Sequence, residues 1–167
     1  MAITLPTEAM TQLFNAVPAN DLPVLPNYNV CPTDKIHAIV SDKNTRHIKA
    51  MRWGFLPNWY KSMTDGPLLI NARSETIDKK PAFHDACRHR RCLIPADGFY
   101  EWARKGEEKP TPYRVTRADK QPMAMAGVWQ NWEVGGQVIT SCAIVTTAAN
   151  TKTVSYTHLT LPTRKLV

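Results

Sequence analysis

The chain has 167 residues, 43% hydrophobic and 21% charged, which is enough for one domain with a real core, and no stretch approaches the length of a transmembrane helix. Lys and Arg number 21 against 14 Asp and Glu, so the net charge is +7, which favours a polyanionic partner such as nucleic acid, although many mildly basic proteins have none. The opening MAITLPTEAM has neither the basic start nor the apolar run of a signal peptide, so Cys31, Cys87, Cys92 and Cys142 are expected to be free thiols in a reducing cytoplasm.

The 13 prolines predict short strands and loops rather than long helices. PTEAMTQLFNAV reads as a short helix, with Thr7 able to cap it and Met10, Leu13 and Phe14 on one face. NDLPVLPNYNVCPTD is extended and punctuated by proline. KIHAIVSD and HIKAMRWGFLP read as strands joined by the polar turn DKNT, a hairpin. In PLLINARSETI, Leu68 to Ile70 are expected to be buried before the segment turns polar at Asn71. KPAFHDACRHRR reads as a helix with Pro81 near its start and basic residues at its end. CLIPADGFYEWA, TPYRVTR, PMAMAGVWQNW and QVITSCAIVTTAA complete the strands. The expected fold is α+β: a mainly antiparallel, barrel-like β-sheet with a few short helices. Residues 1–150 are expected to form one domain, and residues 151–167, rich in Thr and without an apolar face, an atypical and non-native tail.

Several segments could carry chemistry. Asn71 can donate and accept hydrogen bonds, and Arg73 can clamp a phosphate with its planar fork, but a turn Asn beside a surface Arg explains the same residues. His84, Cys87, His89 and Cys92 are zinc-capable, yet they form one local cluster with no second half, so no metal is expected. Arg88 and Arg90 fit a solvated helix end or a phosphate-tracking groove. Arg52 beside Trp53, Phe55, Trp59 and Tyr60 suits single-stranded nucleic acid, where bases stack and phosphates pair; a core hairpin with one exposed ring is the plainer account. Glu101 sits between Tyr100 and Trp102 in FYEW. In an apolar cleft its pKa would rise towards neutrality and make it a usable acid or base; on an open strand it is an ordinary Glu.

Taken in order, NYNVCPTD, MRWGFLPNW, INARSET, PAFHDACRHRRCLIPADGFYEW, PYRV, MAMAGVW and CAIVTTAAN resemble the SOS-response-associated peptidase (SRAP) family over Ala2 to Asn150. The resemblance implies a protein of the DNA damage response that binds single-stranded DNA and reacts with abasic sites. In that family an N-terminal cysteine, exposed by removal of the initiator methionine, attacks the deoxyribose aldehyde and closes a thiazolidine crosslink. The same self-processing underlies the peptidase label. Carried over by motif, Asn71 would orient the reacting sugar or N-terminus, Arg73 would hold backbone phosphate, and Glu101 would move protons. Trp53, Arg52, Arg88 and Arg90 would add to DNA binding. The implied setting is a monomer in the bacterial cytoplasm, without cofactor and away from membranes.

This sequence departs from the family at both ends. The family opens Met-Cys-Gly-Arg-Phe, whereas this sequence opens Met1-Ala2-Ile3-Thr4, with Cys31 expected to be a packing residue. A chain so written is expected to bind DNA weakly and to form no stable thiazolidine. Where the family has His-x-Arg-Met-Pro, the tail keeps His158 and Pro162 but places Thr160 and Leu161 between them, so His158 is carried over on spacing alone. The alternative from a different class is a noncovalent single-stranded DNA-binding module.

Overall fold

The computed structural model describes residues 1–103 and 111–148. Its frame starts from the hairpin of β2 (Lys35–Asp42) and β3 (Thr45–Trp53), paired antiparallel from Lys35 with Arg52 to Asp42 with Thr45. Lys43, in the turn, takes the left-handed conformation (φ 52°) that a tight hairpin demands. Five consecutive residues of β2, Ile36 to Val40, are buried. Both faces of that strand are therefore covered, as expected where one face lines a barrel and the other is overlaid.

β5 (Arg91–Ala96) follows β2, and β8 (Met123–Val134) and β9 (Gln137–Thr146) complete the meander. The β8–β9 hairpin turns on Gly135 and Gly136, whose φ angles of 61° and 79° cost glycine nothing. Closure comes from a parallel pairing of the end of β3 with β9, Arg52 with Ser141 and Trp53 with Cys142. The ring β3-β2-β5-β8-β9 is thus a closed barrel. Two short strands extend its edges in parallel: β1 (Ala16–Pro18) beside the start of β3, and β4 (Asn71–Arg73) beside the end of β9. Outside the barrel, β6 (Phe99–Ala103) and β7 (Thr111–Val115) form a separate two-stranded ribbon. The α+β expectation holds, with these parallel pairings added to an otherwise antiparallel sheet.

Only two helices are present among the described residues, α1 (Thr7–Phe14) and α2 (His84–His89). Thr7 does not cap α1: Pro6 occupies that position and no side chain caps the end. Met10 is buried, Phe14 half-buried and Leu13 56% exposed, because a helix this short lies on the barrel rim and offers the core only a narrow stripe. Leu68 is likewise 49% exposed rather than buried, since its segment meets the barrel through one bridge, Leu69 with Phe55. Cys31 does not pack either. It is exposed in a turn where its N–H donates to Asp34 Oδ2 at 2.9 Å. All four cysteines are free, and among the described residues no helix is long and apolar enough to cross a membrane.

The barrel interior is filled by Ile36, Ala38, Val40, Met51, Ile94, Met125 and Cys142 among others. Gly127 sits where β8 comes closest to β5; a Cβ there would lie 2.8 Å from Cys92 Sγ and 2.9 Å from Ile94 Cδ1. The loop after β3 is pinned through both backbone groups of one residue. Leu56 N–H donates to Ser141 Oγ at 3.0 Å, and Leu56 C=O accepts from Gln130 Nε2 at 2.5 Å. Trp132, 3% exposed, donates its indole N–H to the Tyr60 carbonyl at 2.9 Å. Gly127→Val is expected to lower unfolding free energy by about 1–3 kcal/mol through overpacking, measured by denaturant titration. Gln130→Leu leaves the Leu56 carbonyl buried and unpaired and is expected to cost about 1–3 kcal/mol in the same experiment.

Candidate functional site

Four separate pieces of chain converge at the end of the barrel where β3 meets β9. Trp53, the last residue of β3, is half-buried, and its indole N–H donates to the Ile70 carbonyl at 3.0 Å. That bond fixes the ring beside the start of β4, where Asn71 pairs with Ile144. From the other side the β6–β7 ribbon brings Glu101, held in register with Tyr113. The N-terminal segment closes the arrangement. Met1 is buried, its α-amino group donates to the Val30 carbonyl at 3.0 Å, and Ala2 N–H donates to the Gly98 carbonyl at 2.9 Å.

Together these residues line a cavity of about 220 Å³, with Met1, Trp53, Asn71, Phe99, Glu101 and Thr146 on its walls. Its surroundings act on two titratable groups. Burial raises the Glu101 carboxyl above its ordinary value, and no hydrogen bond or ion pair to it exists among the described residues to offset that. Burial lowers the α-amine of Met1, while the charges of Cys31 and Asp34 pull it back up. Burial thus disfavours the charged form of both groups at one cavity, the direction of shift that suits an amine and an acid in condensation with an aldehyde. Thr146 is 3% exposed, and its hydroxyl has no partner among the described residues, so it adds an available donor and acceptor.

Asn71 also lines a second cavity, of about 360 Å³, with Trp59, Arg73, Thr76 and Lys80. Trp59 is 57% exposed, and Arg73 is exposed beside it. A ring for stacking and two cations therefore adjoin the first cavity through a shared side chain. Arg52 is half-buried and donates to the Gly54 carbonyl at 2.5 Å, behind the ring of Trp53 in sequence. Arg88 and Arg90 belong to the α2 region, which packs on β5 and β8, and they line neither cavity. Arg88 is exposed, whereas the Arg90 guanidinium is tied to the Asp85 carboxylate. His158 lies outside the described residues.

Sequence reasoning missed Thr146, Lys80 and the part played by Trp59. Thr146 follows the buried run Cys142 to Ile144 on a strand whose inward face is otherwise apolar, and that break in pattern was its only signal. Two of the internal thiols, Cys92 and Cys142, are buried and poorly suited to attack. Burial pushes Cys92 up to about 12 and holds Cys142 well above an ordinary thiol. Among the described residues, no group of three or more His, Cys, Asp or Glu is placed to hold a metal ion.

Comparison with known proteins gives the chain its relatives. The family model described as SOS response associated peptidase (SRAP) matches residues 1–162. Abasic site processing protein YoaM of Bacillus subtilis (strain 168) is 40% identical over 126 residues, which cover 75% of this chain and 56% of that protein. Abasic site processing protein YedK of Escherichia coli (strain K12) is 35% identical over 123 residues, 74% of this chain and 53% of that protein. A crystal structure of a Bordetella bronchiseptica protein superposes with a TM-score of 0.80 at 26% identity, over 95% of this chain and 80% of that one. The chain spans about half the length of the curated relatives it matches. On the family model and these relatives, the chain belongs to the SOS response associated peptidase (SRAP) family.

Proposed function

We propose that the protein processes abasic sites in single-stranded DNA by covalent capture at the cavity shared by Met1, Asn71 and Glu101. The observation that carries this is the convergence of a half-buried carboxyl, its pKa raised by burial, with the N-terminal end of the chain in one small cavity. In this reading an amine at that end attacks the aldehyde of the opened deoxyribose. The carbinolamine loses water with a proton supplied through Glu101 to give an imine, and where the reacting residue is a cysteine, as in the family's motif, its thiol adds to the imine carbon and closes a thiazolidine. Asn71, at the junction of the two cavities, orients the sugar. Arg73, with Lys80, holds the neighbouring phosphates, and Trp53 walls the sugar pocket. Arg52, Arg88 and Arg90 add longer-range attraction. The self-processing peptidase activity belongs to the same site, because it exposes the reacting amine. We further read residues 1–150 as one domain acting as a monomer.

Noncovalent binding of single-stranded DNA is the second reading, and the open cavity carrying Trp59, Arg73 and Lys80 supports it on its own. A denaturing gel separates the two. Met1 carries no thiol, so the sequence as given is expected to yield no heat-stable band with single-stranded DNA bearing one abasic site. A variant with Met-Cys-Gly-Arg-Phe placed ahead of Ala2, in place of Met1, supplies an N-terminal cysteine once its initiator methionine is removed. That variant is expected to give the shifted band. A folded, processed variant that gives none would leave noncovalent binding as the better account.

The raised carboxyl also sets a pH dependence. In the cysteine-bearing variant, Glu101→Gln is expected to slow crosslinking by about 100-fold or more. It should also remove the limb of the pH–rate profile that lies above the range of an ordinary Glu, because the folded-state pKa is raised. A rate loss with the limb still in place would assign the titration to another group.

A further inference from the structure

Away from this site, the seam between β2 and β5 is incomplete. The two strands are bridged at a single pair, Ile39 with Leu93. In that register His37 falls opposite Pro95, which has no N–H to give, so the ladder stops on that side. On the other side Ser41 falls opposite Arg91, and there the strands part around a cavity of about 400 Å³. Phe14, Ile39, Val40 and Leu93 supply apolar walls, and Arg46 and Arg91 supply the charge. Leu93 is 42% exposed although its strand sits between two others in the sheet.

Both arginines are exposed, and among the described residues neither is ion-paired. Arg46 Nη1 donates to the Phe14 carbonyl at 2.9 Å, which holds its guanidinium beside the cavity. Arg46 and Trp53 are seven residues apart on the extended strand β3, about 23 Å at roughly 3.3 Å per residue. This cavity is therefore remote from the Asn71–Glu101 site.

We propose that it is a docking site for the C-terminal end of an acidic partner polypeptide. The last apolar side chain enters between Phe14, Ile39 and Leu93, and the terminal carboxylate is held by Arg46 and Arg91. The volume suits one large side chain with its backbone, and a guanidinium fork matches a carboxylate. An extended peptide also supplies the backbone partners that the parted strands lack beyond Ile39 and Leu93. A nucleic-acid strand would use the arginines but leave the apolar walls unfilled. A partner with acidic residues ahead of its apolar end complements a chain of net charge +7.

The test is fluorescence anisotropy of a labelled acidic octapeptide ending in phenylalanine, titrated with the full chain. Saturable binding is expected, weakened about tenfold or more by amidation of the peptide C-terminus and by Arg91→Glu. Arg91 is exposed, so the variant's thermal midpoint should be unchanged; Arg91→Ala, expected to weaken binding less than Arg91→Glu, guards against misfolding of the charge reversal. The proposal is overturned if amidation or both substitutions leave binding unaltered. Displacement of the peptide by a single-stranded oligonucleotide would reassign the arginines to DNA. Equal binding of decanoate would make the site one for small amphiphiles, and an Arg91-dependent dimer in sedimentation would make it a self-contact.

Discussion

The pairing of β3 with β9 is the constraint on which the rest of the molecule depends. Two residue pairs, Arg52 with Ser141 and Trp53 with Cys142, turn an open sheet into a ring. The same few residues of β9 then do further work. The Ser141 hydroxyl accepts from Leu56, Ile144 stands opposite Asn71, and Thr146 reaches the cavity wall. A strand that rises about 3.3 Å per residue thus spaces these positions, with Ser141 on one face, Thr146 on the other and Asn71 held opposite Ile144. Slippage by one residue would turn Ser141 and Thr146 each to the opposite face.

Electrostatically the two adjoining cavities differ in kind. The smaller one is poor in charge and holds one carboxyl without a counter-ion, so its chemistry is governed by desolvation. The larger carries Arg73 and Lys80 near solvent, where screening is strong and attraction is general rather than selective. Asn71 stands between them with both a donor and an acceptor. The two cavities therefore offer different local polarity to whatever occupies them.

Local pattern made part of this legible. The β2–β3 hairpin is written in two apolar segments around DKNT, and α2 in the basic end of its segment. Barrel closure is not written locally, because a parallel contact between distant strands leaves no period in either. Leu68 and Leu13 read as core from hydrophobicity alone, yet their segments meet the barrel along one edge only. Asn71, Glu101 and Trp53 were found through ordered motifs rather than periodicity, since a polar residue after an apolar run looks the same at a turn and at a site. Thr146 went unnoticed because a threonine in a strand is ordinary until its hydroxyl is seen to be buried without a partner.

The ribbon that carries Glu101 is not part of the barrel; it is rooted through the N-terminal segment. Ala2 N–H donates to the Gly98 carbonyl, Asp97 N–H returns to the Ala2 carbonyl at 3.0 Å, and Thr4 Oγ1 donates to Asp97 Oδ2 at 2.9 Å. The segment that enters the cavity therefore also clamps the acid's mounting. The position of Glu101 is thus coupled to residues far from it in sequence: a change that loosens Ala2 or Thr4 from the Asp97–Gly98 turn also loosens the wall that carries the acid, leaving the Tyr100 hydroxyl, bonded to the Tyr28 carbonyl at 3.0 Å, as a second tether.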